Sequence, residues 1–224
     1  KGRNIQLSSL RSDHMSATVI DRSVLTAGLT QLDFIEPDVL KGFESYAELL
    51  LKWNKVYNLT AIRNPEEVLT HHLLDSATLV PALQRFVPGV DTVLDVGCEV
   101  GAKRTVSFTT AAVSVMGLMP LEKAAFVNQV AIELGLKNLT ARHARVEKMV
   151  GTWKAITSRA FASLADFTHL TMHLLASDGR WLAMKEWFLR INSCSSLKCQ
   201  VLAIEKLVVP GLEEERHLIV LGKE

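Results

Sequence analysis

After Pro88-Gly89 the chain alternates short apolar runs with amphipathic stretches, and this alternation constrains the fold more than any other feature. Thr92–Val96 is an apolar run that ends at Asp95-Val96-Gly97 and predicts a strand followed by a turn. Leu121–Leu136 carries Leu121, Ala124, Val127, Ala131 and Leu134 on one stripe, which predicts a helix. Asn138–Arg142 and Lys154–Thr157 are strand candidates, Ala165–Leu175 a helix, and Trp181–Met184 a strand after the Asp178-Gly179 turn. Val201–Val209 and Leu218–Leu221 flank Pro210-Gly211 and an acidic loop, a pattern that predicts a closing antiparallel hairpin. Strands and helices in this order build an α/β fold, a mainly parallel sheet covered on both faces.

The segment before this region has a different period. From about Asp38, Leu40, Phe43, Ala47 and Leu50 recur at three and four residues, with Glu44, Glu48 and Lys52 on the other side. Asn64-Pro65-Glu66-Glu67 predicts a cap with proline in the first turn, opening a helix through Leu74. Residues 16–88 therefore read as a helical N-terminal part, and 89–224 as the α/β domain. Residues 1–15 lack an apolar period, and Ser12-Asp13-His14-Met15 reads like a join to an expression tag, so they are expected to be disordered or tag-like.

Composition narrows the function. No apolar run approaches the ~18 residues that a membrane span needs, and the net charge of +1 calls for a local basic patch if nucleic acid is bound. Three cysteines, Cys98, Cys194 and Cys199, are too few and too irregularly spaced for a disulfide framework. A cytoplasmic protein is the expectation.

Several groups of residues could carry chemistry. The strand ending Asp95-Val96-Gly97 sets a turn at the carboxyl edge of a parallel sheet, where nucleotide-like ligands bind, although many such strands hold no ligand. Lys52, Trp53, Lys55 and Tyr57 interleave cations with aromatic faces, as an RNA surface requires, or they are a helix end with buried rings and solvated lysines. Glu147 after the third strand could accept from an adenine amino group, and Arg159 ending the fourth could reach a ligand or a phosphate; either could equally be a surface charge. His169 and His173, with Cys194 and Cys199 downstream, form a loose set that does not argue for a metal, and none is expected.

Read together, these residues resemble the bacterial 16S ribosomal RNA guanine-N7 methyltransferase family, once called the glucose-inhibited division protein B family. The resemblance runs through Lys52-Trp53-Asn54, Tyr57-Asn58-Leu59-Thr60, His72, Asp75-Ser76 and Leu94-Asp95-Val96-Gly97. It continues through Glu133-Leu134-Gly135-Leu136, Arg145-Val146-Glu147, Ser158-Arg159-Ala160-Phe161-Ala162, Met184-Lys185 and Glu215-Arg216-His217-Leu218. It implies a Rossmann-like class I methyltransferase sheet of seven strands, mainly parallel with the last antiparallel, and a helical N-terminal addition. It also implies a monomer that uses S-adenosylmethionine to methylate N7 of a guanine in 16S ribosomal RNA or the small ribosomal subunit. By position, the cofactor would touch Gly97, Ala102, Val146, Glu147 and Arg159. The RNA would meet Lys52, Lys55, Tyr57, Asn58, His72, Lys185 and Arg216. No catalytic acid or base is implied, because the chemistry needs proximity and orientation.

Two stretches leave the pattern, about 98–120 and 186–200. After Gly97 the family has a glycine- and proline-rich loop and a strand ending in an acid for the ribose hydroxyls. Here the chain reads Cys98-Glu99-Val100-Gly101-Ala102-Lys103-Arg104, and no Asp or Glu occurs from Val100 through Leu121. Met119-Pro120 lies where the ribose carboxylate should be. Either the reading frame changes within two windows, or the chain is a variant with weakened cofactor binding. The alternative function is a non-catalytic RNA-binding module on the same fold. A nicotinamide oxidoreductase fits less well, since Gly97 and Gly101 do not make its glycine pattern and its acid is missing.

Overall fold

The computed structural model describes residues 20–33, 37–97, 113–159, 163–185 and 198–224. Its seven strands are β1 Thr92–Val96, β2 Ser114–Leu118, β3 Leu139–Arg142, β4 Trp153–Ser158, β5 Leu175–Lys185, β6 Cys199–Leu207 and β7 Arg216–Lys223. They form one sheet in the order β3-β2-β1-β4-β5-β7-β6. The pairs β1–β2, β1–β4, β2–β3 and β4–β5 are parallel, and β7 runs antiparallel to both β5 and β6. The chain builds outward in one direction from β1 to β3 and then returns to place β4 on the other side of β1. That reversal makes the carboxyl ends of β1 and β4 the switch point where open α/β sheets bind ligands.

The helices are α1 Arg22–Gln31, α2 Pro37–Tyr57, α3 Pro65–Glu67, α4 Asp75–Ala77, α5 Leu79–Phe86, α6 Leu121–Glu133 and α7 Leu164–Thr171. A seven-residue π-helix, Val68–Leu74, joins α3 to α4. Asn64 caps α3 as its sequence predicts, its side chain accepting from the Glu66 N–H at 3.0 Å with Pro65 next in the turn. The expected single helix through Leu74 instead widens into the π-helix, a device that shifts side-chain register within a continuous spiral.

Two buried clusters sandwich the sheet. One joins Leu25, Leu29, Phe43, Tyr46 and Leu50 of the N-terminal helices to Val93, Ala155, Leu182 and Val220 of the strands, with Phe126 and Val127 of α6. The N-terminal helices and one face of the sheet therefore share a core. Phe43 is 2% exposed, so truncating it to Ala should cost about 3–5 kcal/mol. The other cluster packs Leu164 and Phe167 of α7 against Leu94, Ile156, Trp181 and Ile219. Alternation along each strand decides which residue meets which layer.

Four elements differ from the sequence expectation. The helix expected over Ala165–Leu175 stops at Thr171, and Leu175 already pairs with Trp153 as strand. β5 is longer than Trp181–Met184 because it runs through an irregularity between the Leu175 and Arg180 pairings, where Gly179 sits close to β4. A Cβ at Gly179 would lie 2.9 Å from the Lys154 carbonyl oxygen, which explains the glycine. β2 forms inside the stretch that leaves the family pattern, because Val115 and Leu118 still offer apolar side chains that bury. Likewise, Cys199 opens β6 from within the second such stretch.

Candidate active site

The carboxyl edge of the sheet is built from strand ends whose side chains alternate between the two layers. Val93 and Asp95 face the helical layer, as do Ala155 and Thr157, and the Thr157 hydroxyl donates to Asp95 Oδ1 at 2.9 Å. Both residues are fully buried, so this bond replaces the water that a sealed carboxylate would otherwise need. Gly97 then turns the chain with φ +74°, a left-handed conformation that glycine adopts without strain. Ser158 sits in the other register, beside Ile156 of the second cluster. Its Oγ is buried and has no hydrogen-bond partner among the described residues.

An ion cluster closes the helical side of this edge. Asp75, at the start of α4, is 1% exposed and uses both carboxylate oxygens. Its Oδ2 accepts from Arg159 Nη1 at 2.7 Å and its Oδ1 from Arg216 Nε at 3.1 Å. The alternation explains the meeting. Arg159 continues the register of Ala155 and Thr157, and Arg216 that of Leu218 and Val220, so both fall on the face the N-terminal helices cover. One carboxylate thereby links the helical segment to the ends of β4 and β7, elements 84 and 141 residues away in sequence.

The residues expected at the cofactor are distributed as follows. Gly97 makes its turn at the switch point, and Val146 is buried just after β3, packed with Val96 and Leu118. Glu147 is exposed beside it, and Ala102 lies outside the described residues. Arg159 is on the helical-layer face, held by Asp75. Met119, at the end of β2, is 5% exposed and apolar; its carbonyl oxygen lies 3.2 Å from His143 Nδ1. The edge thus holds a glycine turn, an apolar surface at Val146 and a Ser158 hydroxyl without a partner among the described residues, features that S-adenosylmethionine could use. The resemblance puts a ribose carboxylate at Met119-Pro120, where no acid stands, so this edge fits the group in part.

The expected RNA contacts separate into surface and interior. Lys52, Lys55, Tyr57 and Asn58 are exposed at the carboxyl end of α2, with Tyr57 52% exposed. Trp53, the other ring of that segment, stacks at 5.1 Å from Tyr57 and at 5.6 Å from Phe126 of α6, so it anchors the segment. Asn58 adopts φ +48° and accepts from Arg63 Nη2 at 2.9 Å. His72 is 4% exposed, its Nε2 2.9 Å from Thr60 Oγ1, within a network that also ties Asn54 to Thr60 and Ile62. His72 thus braces the Asn58–Ile62 turn from the interior. Arg216, 5% exposed, is likewise occupied inside the ion cluster.

Lys185 pairs with His217 across β5 and β7, in the register of the second cluster, and therefore on the opposite face from Arg216. Burial lowers its pKa below the ordinary 10.5. Farther off, His173 Nε2 lies 3.2 Å from the Met149 carbonyl oxygen, Cys199 is buried, and Cys194 falls outside the described residues. Two residues stand out that the sequence reading assigned no role. Asp75 and Ser158 each sit inside a quoted motif, but only the sheet register shows what they face.

Known proteins resemble the chain over nearly its full length. A family model described as rRNA small subunit methyltransferase G matches residues 39–219. The ribosomal RNA small subunit methyltransferase G of Cupriavidus pinatubonensis is 40% identical over an alignment of 230 residues, covering 92% of this chain and 97% of the relative. Its counterpart in Neisseria gonorrhoeae is 42% identical over 185 residues, covering 80% and 86%. Among solved structures, TrmN from Thermus thermophilus superposes with a TM-score of 0.51 at 17% identity, covering 70% of this chain and 53% of that one. A ribosomal protein L11 methylase from Lactobacillus delbrueckii gives 0.52 at 16%, covering 72% and 80%; these two share the fold. On the family match and on relatives at this identity, the chain belongs to the rRNA small subunit methyltransferase G family.

Proposed function

We propose that the chain transfers a methyl group from S-adenosylmethionine to N7 of a guanine in 16S ribosomal RNA, acting as a monomer in the cytoplasm. The observation that carries the reading is the family match over residues 39–219, which spans both the helical layer and the sheet edge that meet at Asp75. S-adenosylmethionine supplies a methyl on a positively charged sulfur. Guanine N7 has a free lone pair and carries no proton, so the protein needs no general base. Its task is to hold the base in line and exclude water, which is catalysis by proximity and orientation.

In this reading, Gly97 lets backbone approach the ligand, and Val146 with Glu147 borders the adenine. Lys52 and Lys55 meet RNA phosphates while Tyr57 offers a stacking face beside Asn58. Residues 16–88 act as the RNA-facing layer and 89–224 as the methyltransferase domain.

Transfer of a labelled methyl group to small-subunit RNA from a strain lacking the modification, followed by mapping, tests the proposal. Label at N7 of one guanine supports it, and label elsewhere or none contradicts it. One observation favours a second reading, a non-catalytic RNA-binding module: no Asp or Glu occurs from Val100 through Leu121, where the resemblance puts the ribose acid. S-adenosylmethionine separates the two. Bound at about a hundred times its Kd, it should add about 2.7 kcal/mol to the stability of an enzyme and nothing to that of the module.

A further inference from the structure

Around the carboxyl end of α2 the cations stand without acids, unlike others on the surface. Arg22, Arg85, Lys154 and Lys206 each pair with a carboxylate. Among the described residues, Lys52, Lys55 and Arg63 pair with none. Glu66 and Glu67 follow Arg63 by only three and four residues. Its guanidinium instead reaches back to a neutral partner, Nη2 donating to Asn58 Oδ1 at 2.9 Å. An amide holds a guanidinium without cancelling its charge, and the planar fork keeps further N–H groups for a second partner. A charged fork with donors to spare is what a phosphate takes.

The turn that presents this amide is built from the interior. Asn58 ends α2 in the left-handed conformation, φ +48°, with its N–H bonded to the Asn54 carbonyl oxygen at 3.2 Å. Glycine serves that conformation as well, whereas asparagine adds a side-chain acceptor there. Behind the turn, the Asn54 side chain accepts from the Thr60 N–H and donates to the Ile62 carbonyl oxygen. The Thr60 hydroxyl oxygen accepts from the Ile62 N–H and lies 2.9 Å from His72 Nε2. Asn54, Thr60 and His72 are buried, while Asn58 and Arg63 are exposed. A buried floor thus carries an exposed Asn58–Arg63 pair directly after Tyr57.

We propose that Arg63 contacts one phosphate of bound RNA, and that Asn58 is a positioning residue that acts through Arg63 without touching RNA itself. The inference rests on the RNA substrate of the function proposed above. It adds a third cation to Lys52 and Lys55, and it gives Asn58 an indirect role.

A double-mutant cycle tests both parts. Binding of a small-subunit RNA fragment is measured against salt for the full chain, Arg63→Ala, Asn58→Gly and the double variant, with thermal unfolding of each to establish the folded fraction. Arg63→Ala should weaken binding about tenfold, as for loss of one charge-assisted contact, and lower the salt slope by about one phosphate. Asn58→Gly keeps the left-handed turn and every charge. It should weaken binding about threefold, because a freed arginine must be ordered on binding, with the slope of the parent. Once Arg63 is Ala, Asn58→Gly should cost nothing more, since no guanidinium is left to hold. Additive losses would make Asn58 a contact in its own right and overturn its positioning role. Folded Arg63→Ala with the affinity and slope of a parent that binds RNA overturns the phosphate contact. Should Asn58→Gly fail to fold, Asn58→Asp keeps the bond but neutralises Arg63, and an unchanged slope in that variant overturns the proposal. A parent chain that binds no small-subunit RNA fails the functional reading itself, and the proposal with it.

Discussion

The two halves of the carboxyl edge are built on opposite principles. On the β4–β7 side, charged groups are buried and paired, with Asp75 between Arg159 and Arg216 and the Asp95–Thr157 bond at the border with β1. On the β1–β2 side the strand ends are apolar, with Leu118 and Met119 buried and Gly97 turning the chain. The contrast separates what the fold needs from what a ligand needs. Paired ions on the first side hold three distant segments together whatever is bound. The second side buries apolar strand ends, and there Met119-Pro120 stands where the family resemblance puts a ribose acid.

The largest expected effect tests the paired side. Asp75→Ala would remove the carboxylate shared by two guanidinium groups, one almost wholly buried, and should destabilise the fold by about 3–5 kcal/mol in urea unfolding. A cost below about 1 kcal/mol, typical of exposed pairs, would make the cluster incidental. Arg159→Ala comes next. Most of the fold should persist, since Arg216 still satisfies Asp75, but methyl transfer to RNA should fall by about 1.5–3 kcal/mol of transition-state binding. Normal turnover in that variant would remove Arg159 from the site. A smaller effect belongs to the exposed end of α2. Lys52→Ala with Lys55→Ala should flatten the salt dependence of RNA binding by up to about two units of slope. Unchanged slope would leave both lysines as plain surface charges.

The same contrast explains how much the sequence reveals. Alternation and capping signals foretold the parallel sheet, the helical layer and the closing hairpin, because periodicity reports burial directly. Asn64-Pro65 marked a helix start for a local reason, the side-chain bond to the Glu66 N–H. Long-range partners were not legible. Nothing around Asp75 indicates that its charge meets Arg159 and Arg216, residues brought together only by strand order and register. The resemblance places His72 and Arg216 toward RNA, and only the fold shows that both are buried in hydrogen-bond networks. β2 escaped notice because its surroundings leave the family pattern, although five residues with apolar alternation sufficed to pair it on both sides.

The apolar side of the edge offers the most direct test, by titration calorimetry of S-adenosylmethionine into the chain as it stands and into Met119→Asp. A carboxylate at the end of β2 should restore charge-assisted bonds to the ribose hydroxyls, each worth about 1.5–3 kcal/mol. Binding should therefore be at least about tenfold tighter in Met119→Asp than in the parent, at ~1.4 kcal/mol per decade. Tight binding by the parent, with no gain from the added acid, would contradict it.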